Sequence, residues 1–376
     1  MTKIQSFQED CVAIVQERLA RGEIDRRGAL KMLGALGVAA AIPAGAGGAL
    51  AQDSKTITLV NWGGIANDGF GNYYGKPFEA KKPGVKVVMD SSGPSAGKIR
   101  TMVESKKVTW DLCDSSASSS ILLGGQGLLE EIDYNLVKKE NLLPKGFAYP
   151  HGAAPYSFSS VLVYDAAKFG GDPPKSWADF IDFKKYPGRR LLRRDALGSL
   201  DALMMANGAD PAKLYPMDLK KGIEHVKAIK ANAVYWNSGS ESEQVMRTGE
   251  AVMGILWHTR AKILHEESGG KKLTWTWNQG ILQAGIFVIP KGNPSGKLAH
   301  ECLGNACADA DSQIGLLGFL GNGPTNPRAA AKVPENLRIF NPTDTENAKK
   351  QVVLDGEWWG KNYAEANQQY LDAIAS

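Results

Sequence analysis

The amino-acid sequence predicts an α/β protein of two lobes, with a ligand cleft where they meet. From Lys55 onward, short β-rich runs alternate with helix-like runs, and this alternation predicts parallel strands with right-handed crossovers. The alternation starts again near Ser157 without an internal sequence repeat. The 376 residues, 43% of them apolar, suffice for two domains of roughly 100–200 residues each.

The first α/β unit lies before residue 114. Its predicted elements alternate in the order strand, helix, strand, helix, strand, at residues 56–61, 68–82, 85–89, 97–107 and 110–113. Pro83 and Gly84 end the first of these helices, because both residues interrupt helical backbone. The order of the elements predicts three parallel strands with helices on their faces.

The second unit repeats this pattern and completes the two lobes. Its predicted strands are 157–164, 190–193, 233–236 and 251–257, and its predicted helices are 176–183, 199–206, 217–231 and 242–248. A later helix is predicted at 298–310. We assign residues 52–160 plus 286–335 to lobe 1 and residues 161–285 plus 336–376 to lobe 2. A ligand is expected where the carboxyl ends of the strands meet.

The N-terminal segment has the pattern of an export signal. Arg26 and Arg27 precede a weakly apolar run at 32–41 and a small-residue stretch that ends at Ala51. The run is too short and too rich in glycine for a membrane span, which needs about 20 apolar residues. Adjacent arginines before such a run are typical of twin-arginine export. We therefore expect residues 1–51 to be a signal peptide and the mature protein to be periplasmic; an amphipathic helix with a chance arginine pair is the alternative.

Composition and cysteine spacing exclude several classes of protein. A formal net charge of +4 with 22% charged residues gives no strongly basic face for nucleic acid. The cysteines at 11, 113, 302 and 307 lack the paired CxxC spacing of a zinc site. Cys302 and Cys307 stand five residues apart in a predicted helix, where they point to different faces, so we expect buried thiols.

No cofactor or metal is indicated by the sequence. His258 and His265 are seven residues apart, which is not the spacing of two zinc ligands on one helix face. No dinucleotide fingerprint or haem motif occurs. We expect a monomeric protein that binds a small-molecule solute and no nucleic acid.

Polar and aromatic residues follow most of the predicted strands. These clusters are Asn61–Gly64, Asp90–Gly93, Asp114–Ser118, Arg193–Asp195, Trp236–Ser238 and Trp257–Arg260. Side chains and backbone N–H groups at such strand ends are suited to receive polar or anionic ligand atoms. Taken alone, each cluster is more often an ordinary helix N-cap than a ligand contact.

Several motifs resemble those of a known family. They are 59–64 (LVNWGG), 110–112 (WDL), 124–133 (GGQGLLEEID), 155–156 (PY), 176–180 (SWADF), 249–257 (GEAVMGILW), 287–291 (FVIPK) and 323–327 (GPTNP). In order and spacing they resemble the periplasmic substrate-binding proteins of ABC importers, of the spermidine/putrescine type. The resemblance implies a two-lobed periplasmic binding protein fold with a hinge, whose lobes close over a solute in the cleft between them. It also implies a receptor without catalytic activity that delivers the solute to an ABC transporter permease.

The resemblance to the polyamine site is incomplete. Trp62 and Trp257 match its aromatic positions, which flank a carbon chain; Asp195 matches one acid, and Ser116 lies near its serine. The family's other site residues are replaced here by Ile65, Ser118, Gly198, Gln283 and Gly285. Two of three acids are therefore absent. The candidate ligand-binding residues are Asn61, Trp62, Ser115, Ser116, Ser118, Asp195, Trp257, His258, Arg260 and Gln283.

Basic residues near the same strand ends change the expected ligand. Arg260 follows Trp257 by three residues, and its planar guanidinium suits a carboxylate or phosphonate. Arg193 and Arg194 cannot both face inward if they lie in one strand. We therefore favour an amphoteric amino compound over putrescine or spermidine, with its amine on Asp195 and its acid on Arg260.

A serine hydrolase is the alternative function. Residues 93–97 (GPSAG) fit the G-x-S-x-G pattern between a predicted strand and a predicted helix, which is the context of a nucleophile elbow. Only two strands precede Ser95, so the strand that normally carries the oxyanion loop has no place. A turn or N-cap role for Ser95 is the structural alternative.

Overall fold

The computed structural model describes residues 55–143 and 146–376. The predicted signal peptide and Cys11 lie outside the described residues. Within them, no helix combines the length and the apolar character that a membrane crossing requires.

Eleven strands of the described chain form one mixed sheet. Their bounds are β1 Lys55–Val60, β2 Val85–Asp90, β3 Leu112–Ser115, β4 Ala148–Tyr149, β5 Gly152–Asp165, β6 Arg190–Arg193, β7 Ala233–Trp236, β8 Met253–Trp257, β9 Leu273–Val288, β10 Gly323–Pro324 and β11 Val352–Val353.

The order of the strands places two parallel units on either side of a central antiparallel pair. The main path is β2-β1-β3-β9-β5-β8-β6-β7. Strands β2, β1 and β3 are parallel to one another, and so are β8, β6 and β7. The long strands β5 and β9 pair antiparallel over most of their length and each borders one of the two units. Each unit is thus an α/β arrangement of the predicted kind.

Helices cover the connections between the strands. Their bounds are α1 Ile65–Phe70, α2 Lys76–Lys81, α3 Ala96–Glu104, α4 Ala117–Gly125, α5 Tyr134–Val137, α6 Trp177–Ile181, α7 Ser199–Ala206, α8 Leu219–Ile229, α9 Gly239–Thr248, α10 His258–Glu267, α11 Lys297–Ala308, α12 Ala310–Leu320, α13 Pro327–Ala330, α14 Glu335–Arg338, α15 Thr345–Ala348 and α16 Gly356–Ala375. A π-helical turn, Gly71–Gly75, joins α1 to α2.

Serine side chains fix the starts of three helices that follow strands. Ser95, Ser116 and Ser238 each have extended backbone and accept a hydrogen bond from the backbone N–H three residues ahead. A capped start of this kind satisfies a donor that the helix itself leaves free. The helices α3, α4 and α9 therefore begin at defined points beside the carboxyl ends of the strands.

Among the described residues, the buried apolar side chains fall into two large groups and two smaller ones. The first large group draws its buried side chains from residues 57–156 and 286–320, and the second from residues 162–281 and 359–373. The two smaller groups contain Trp236 and Phe340, respectively. The first large group falls within the residues assigned to lobe 1 and the second within those assigned to lobe 2. The lobe boundaries themselves remain a prediction.

Three cysteines lie in the described chain, and all are buried and free. Cys302 and Cys307 both lie on α11, so the prediction of buried thiols is confirmed for this pair. Burial raises the pKa of the Cys302 thiol to about 12. These side chains are part of the core.

Candidate functional site

A cavity opens at the carboxyl ends of β1, β3, β6 and β8. Its volume is about 160 Å³, which is small beside the roughly 300–1,000 Å³ of pockets for drug-sized ligands. The strand ends contribute Trp62, Ser115, Arg193 and Trp257 to its lining. Since the two parallel units lie on opposite sides of β5 and β9, the lining combines side chains from both units.

Aromatic rings form one wall of the cavity. Trp62 and Trp257 lie with ring centroids 6.2 Å apart, and Phe158 meets the Trp257 ring edge to face at 6.3 Å. Trp62 remains 47% exposed because the chain turns away from β1 at Gly63 and Gly64, which both have positive φ. The wall therefore offers an indole face to a carbon chain or a cation.

One pair of opposite charges lies beside this wall. The Arg193 guanidinium lies 3.6 Å from the Asp195 carboxylate and 5.1 Å from the centre of the Trp257 ring. Asp195 also accepts hydrogen bonds from the backbone N–H of Leu197 at 2.8 Å and from Tyr363 Oη at 2.9 Å. Asp195 is thus already neutralised and hydrogen-bonded by the protein.

A second pair of charges holds Arg260 in place. Its Nη1 donates to Glu243 Oε1 at 2.9 Å, and the residue is only 8% exposed. Gly239 makes room for the guanidinium, because a Cβ atom at this position would lie 2.3 Å from Arg260 Nε. Among the described residues, that buried Nε has no hydrogen-bond partner. Buried donors normally have a partner, so this unpaired N–H is an exception.

The inner end of the cavity carries a second carboxyl group. Asp114 is 1% exposed, and both of its oxygens accept from Tyr156 Oη, at 2.8 and 3.0 Å. Burial raises the pKa of Asp114 to about 7, although the Tyr156 hydroxyl opposes this shift. The carboxyl group therefore changes its charge near neutral pH.

Serine hydroxyls line the side of the cavity next to α4. Ser115, Ser116 and Ser119 all contribute. Ser116 Oγ caps α4 by accepting from the Ser119 N–H at 3.1 Å, and it lies 2.8 Å from Ser118 Oγ. These hydroxyls can donate to or accept from a polar solute.

Six of the ten predicted ligand-binding residues line the cavity. They are Trp62, Ser115, Ser116, Asp195, Trp257 and Arg260.

The other four predicted residues lie outside the cavity lining. Asn61 is buried and accepts from the Gly63 N–H at 2.8 Å, so it holds the turn after β1. Ser118 is buried behind Ser116. Gln283 donates to Ser160 Oγ at 3.0 Å and borders a separate small cavity.

His258 was predicted to bind the ligand, but both of its ring nitrogens contact backbone groups. Nδ1 accepts from the Ser159 N–H at 2.9 Å, and Nε2 lies 2.7 Å from the Gly321 carbonyl oxygen. Burial lowers the pKa of this imidazole to about 4. It joins β5 to the end of α12 as a neutral side chain and leaves no nitrogen for a ligand.

Several residues of the cavity lining were not among the ten predicted ligand-binding residues, although Asp114 and Arg193 belong to the predicted strand-end clusters. Asp114, Tyr156, Phe158, Arg193 and Tyr363 all line the cavity. The strand-end position was a usable signal for Asp114 and Arg193. No sequence pattern pointed to Tyr363, because it lies on α16 and far along the chain from the strand ends.

Ser95 acts as an N-cap. Its Oγ accepts from the Lys98 N–H at 3.3 Å, and within the described chain it takes part in no other side-chain hydrogen bond. No group of three or more histidine, cysteine, aspartate or glutamate side chains in the described residues could hold a metal ion.

The chain is similar to known solute-binding proteins. A family model described as bacterial extracellular solute-binding protein matches residues 74–341. The gamma-aminobutyric acid-binding protein of Pseudomonas aeruginosa is 27% identical over 322 residues, which cover 84% of this chain and 90% of that protein.

Solved structures give the same result for the fold. An ABC transporter substrate-binding protein from Bradyrhizobium japonicum is 32% identical, with a TM-score of 0.79, over 86% of this chain and 100% of that one. The Atu4243–GABA receptor is 27% identical, with a TM-score of 0.78, over 86% of this chain and 98% of that one. The predicted two-lobed α/β fold class is thereby confirmed, and none of these proteins is described as a hydrolase.

Proposed function

The chain belongs to the family of bacterial extracellular solute-binding proteins, and from this premise we propose that it captures a small amphoteric amino compound such as 4-aminobutyrate. Membership confirms the resemblance to solute-binding proteins of ABC importers at the level of the family. The solute itself is a proposal, and the charges of the cavity support it.

The observation that carries the proposal is the presence of both signs of charge in one small cavity. Two arginines, Arg193 and Arg260, and two aspartates, Asp114 and Asp195, line it together with Trp62 and Trp257. A solute with an acidic and a basic end can pair with both signs, and its carbon chain can lie against the indole rings. Arg260 is suited to receive the acidic end, because it lines the cavity and its planar guanidinium matches the geometry of a carboxylate.

A polyamine fits this cavity less well. Putrescine and spermidine carry only positive charge, and they would be placed beside two guanidinium groups. Like charges at close range cost binding free energy. Two relatives of this chain have gamma-aminobutyric acid in their names, which supports the same preference.

We further propose that the protein is exported through its N-terminal arginine pair and delivers its solute to a membrane permease of an ABC importer. Arg26 and Arg27 precede the small-residue stretch in the manner of a twin-arginine signal. The protein acts in this proposal as a receptor and carries out no chemical reaction on the solute.

Native mass spectrometry of the gently purified protein tests the solute class. We expect a bound species whose mass matches a small amino acid and which is released on denaturation. The Arg260→Gln variant, purified in parallel, should retain less of it. Retention of a polyamine by both proteins would contradict the proposal.

A further inference from the structure

Asp114 lines the cavity but takes part in neither of the ion pairs found there. Asp195 lies 3.6 Å from Arg193, and nearby Glu243 lies 2.9 Å from Arg260. No lysine, arginine or histidine of the described residues forms an ion pair with Asp114. Buried charges in proteins are normally paired, so the position of this carboxyl group on the cavity lining requires an explanation.

The carboxyl group is held firmly at its place. Tyr156 donates to both of its oxygens, and the Tyr156 ring packs against Phe70 and Phe158 with centroids 5.4 and 6.2 Å away. Gly285 is required for this arrangement, because a Cβ atom there would lie 2.1 Å from the Tyr156 ring. One hydroxyl supplies one proton, whereas an ionised carboxylate can accept about four hydrogen bonds. Asp114 therefore retains acceptor capacity toward the cavity.

Three other charged side chains, Arg193, Asp195 and Arg260, line the same cavity. The ion pairs of the two arginines, however, are with Asp195 and Glu243 and not with Asp114.

Two titratable side chains lie close to the Asp114 carboxyl group, Tyr156 on β5 and Tyr74 in the 71–75 turn, and the neighbouring Cys113 points to the opposite face of β3. Burial raises the pKa of each. Phe287 opposes Asp114 on β9 and does not titrate. A cation that enters the cavity is thus the counter-ion that this carboxylate lacks.

Resting on the proposed function, we infer that Asp114, rather than Asp195, receives the ammonium group of the solute. An ammonium group carries three N–H donors, which can satisfy the oxygens of Asp114 that Tyr156 leaves free. Binding of the ammonium group stabilises the ionised carboxylate, so a proton that Asp114 holds in the free protein passes to the solvent.

This proton release gives the inference a specific signature. With a pKa of about 7 in the free protein, roughly half a proton per bound solute should be released at pH 7. The affinity for 4-aminobutyrate should fall by up to about tenfold for each pH unit below 7.

The experiment is calorimetric titration of 4-aminobutyrate into the wild type, Asp114→Asn and Asp195→Asn at pH 6, 7 and 8. Each titration is repeated in two buffers with different heats of ionisation. We expect Asp114→Asn to lose at least about tenfold in affinity, together with the proton release and the pH dependence. Asp195→Asn should keep the proton release and the pH dependence, because Asp114 is unchanged in this variant. Tyr156→Phe, which removes the hydrogen bond that lowers the pKa of Asp114, should move the pH dependence to higher pH.

The outcomes separate this inference from the proposed function. If Asp114→Asn binds 4-aminobutyrate with wild-type affinity and proton release, the inference is overturned and the proposed function stands. If the wild type binds neither 4-aminobutyrate nor other amino acids, both are overturned. Should Asp114→Asn fail to fold, the Tyr156→Phe titration decides: an unchanged pH dependence overturns the inference.

Discussion

The exchange Arg260→Gln tests whether the Arg260 guanidinium binds the solute or only holds the fold together. Arg260 and Arg247 both pair with Glu243, at 2.9 and 3.5 Å, but only Arg260 of these two lines the cavity. Because Arg247 remains beside Glu243 in the variant, that carboxylate keeps a partner. Leaving a buried carboxylate without a partner costs about 3–5 kcal/mol. The free energy of unfolding of Arg260→Gln should therefore fall by less than this.

The solute affinity of Arg260→Gln should fall, because the solute loses a charged hydrogen-bond donor. A hydrogen bond to a charged group contributes about 1.5–3 kcal/mol, which corresponds to a factor of about 10–150 in Kd. Calorimetric titration with 4-aminobutyrate measures this factor, and Arg247→Gln is the matched control that should keep the wild-type Kd. An Arg260→Gln protein with wild-type affinity would refute the role of Arg260 in binding.

The remaining predictions concern Trp62, Tyr363 and His258. Trp62→Ala should weaken 4-aminobutyrate binding by about 1–3 kcal/mol with little change in unfolding, since the ring is half exposed; unchanged affinity in a titration would remove Trp62 from the site. Tyr363→Phe deletes the hydrogen bond to Asp195 and should lower the free energy of unfolding in urea by about 0.5–1.5 kcal/mol; a variant of wild-type stability would contradict this. His258 has its pKa lowered to about 4 by burial and an unfolded value of about 6.5, so its contribution is present above pH 6.5 and is lost as the pH falls toward 4. Asp114, whose pKa is raised to about 7, adds stability as the pH falls over the same range, so the effect of His258 is read as a difference between two proteins. Relative to His258→Gln, the wild type should lose about 2 kcal/mol in the free energy of unfolding in urea between pH 7 and pH 5, and the same pH dependence in both proteins would disprove this origin.

The parallel units could be predicted because their signals are local. The bounds of β6, β7 and α7 agree with the sequence prediction, since each is a short run with a uniform preference that is bounded by polar or glycine residues. The first helix was less well predicted: α1 begins at Ile65 and passes through the π-helical turn Gly71–Gly75 into α2.

The central strand β9 was missed for a physical reason. Its burial changes along its 16 residues, from partly exposed near Trp275 to buried on both faces at its end. Polar residues interrupt it, and Gln279 has a φ of 58°. No single periodicity describes such a strand, because its surroundings change as it passes from one group of neighbours to the other.

The aromatic residues of the site could be predicted, but its charge pairing could not. Trp62 and Trp257 follow strands directly, so their place at the strand ends is a local property. The partners of Arg260 and Asp195 come from α9 and α16, namely Glu243 and Tyr363. These contacts depend on tertiary packing, and without them Asp195 seemed available for an amine although Arg193 already neutralises it.

The most direct test of the amphoteric solute is a calorimetric comparison of 4-aminobutyrate with butyrate, butylamine and putrescine at pH 7.5 and moderate ionic strength. Each of these compounds retains a four-carbon chain and differs in its charged ends. We expect 4-aminobutyrate to bind at least about tenfold more tightly than each of the others, because only this compound pairs with both signs of charge in the cavity. Tighter binding of putrescine than of 4-aminobutyrate would contradict the account.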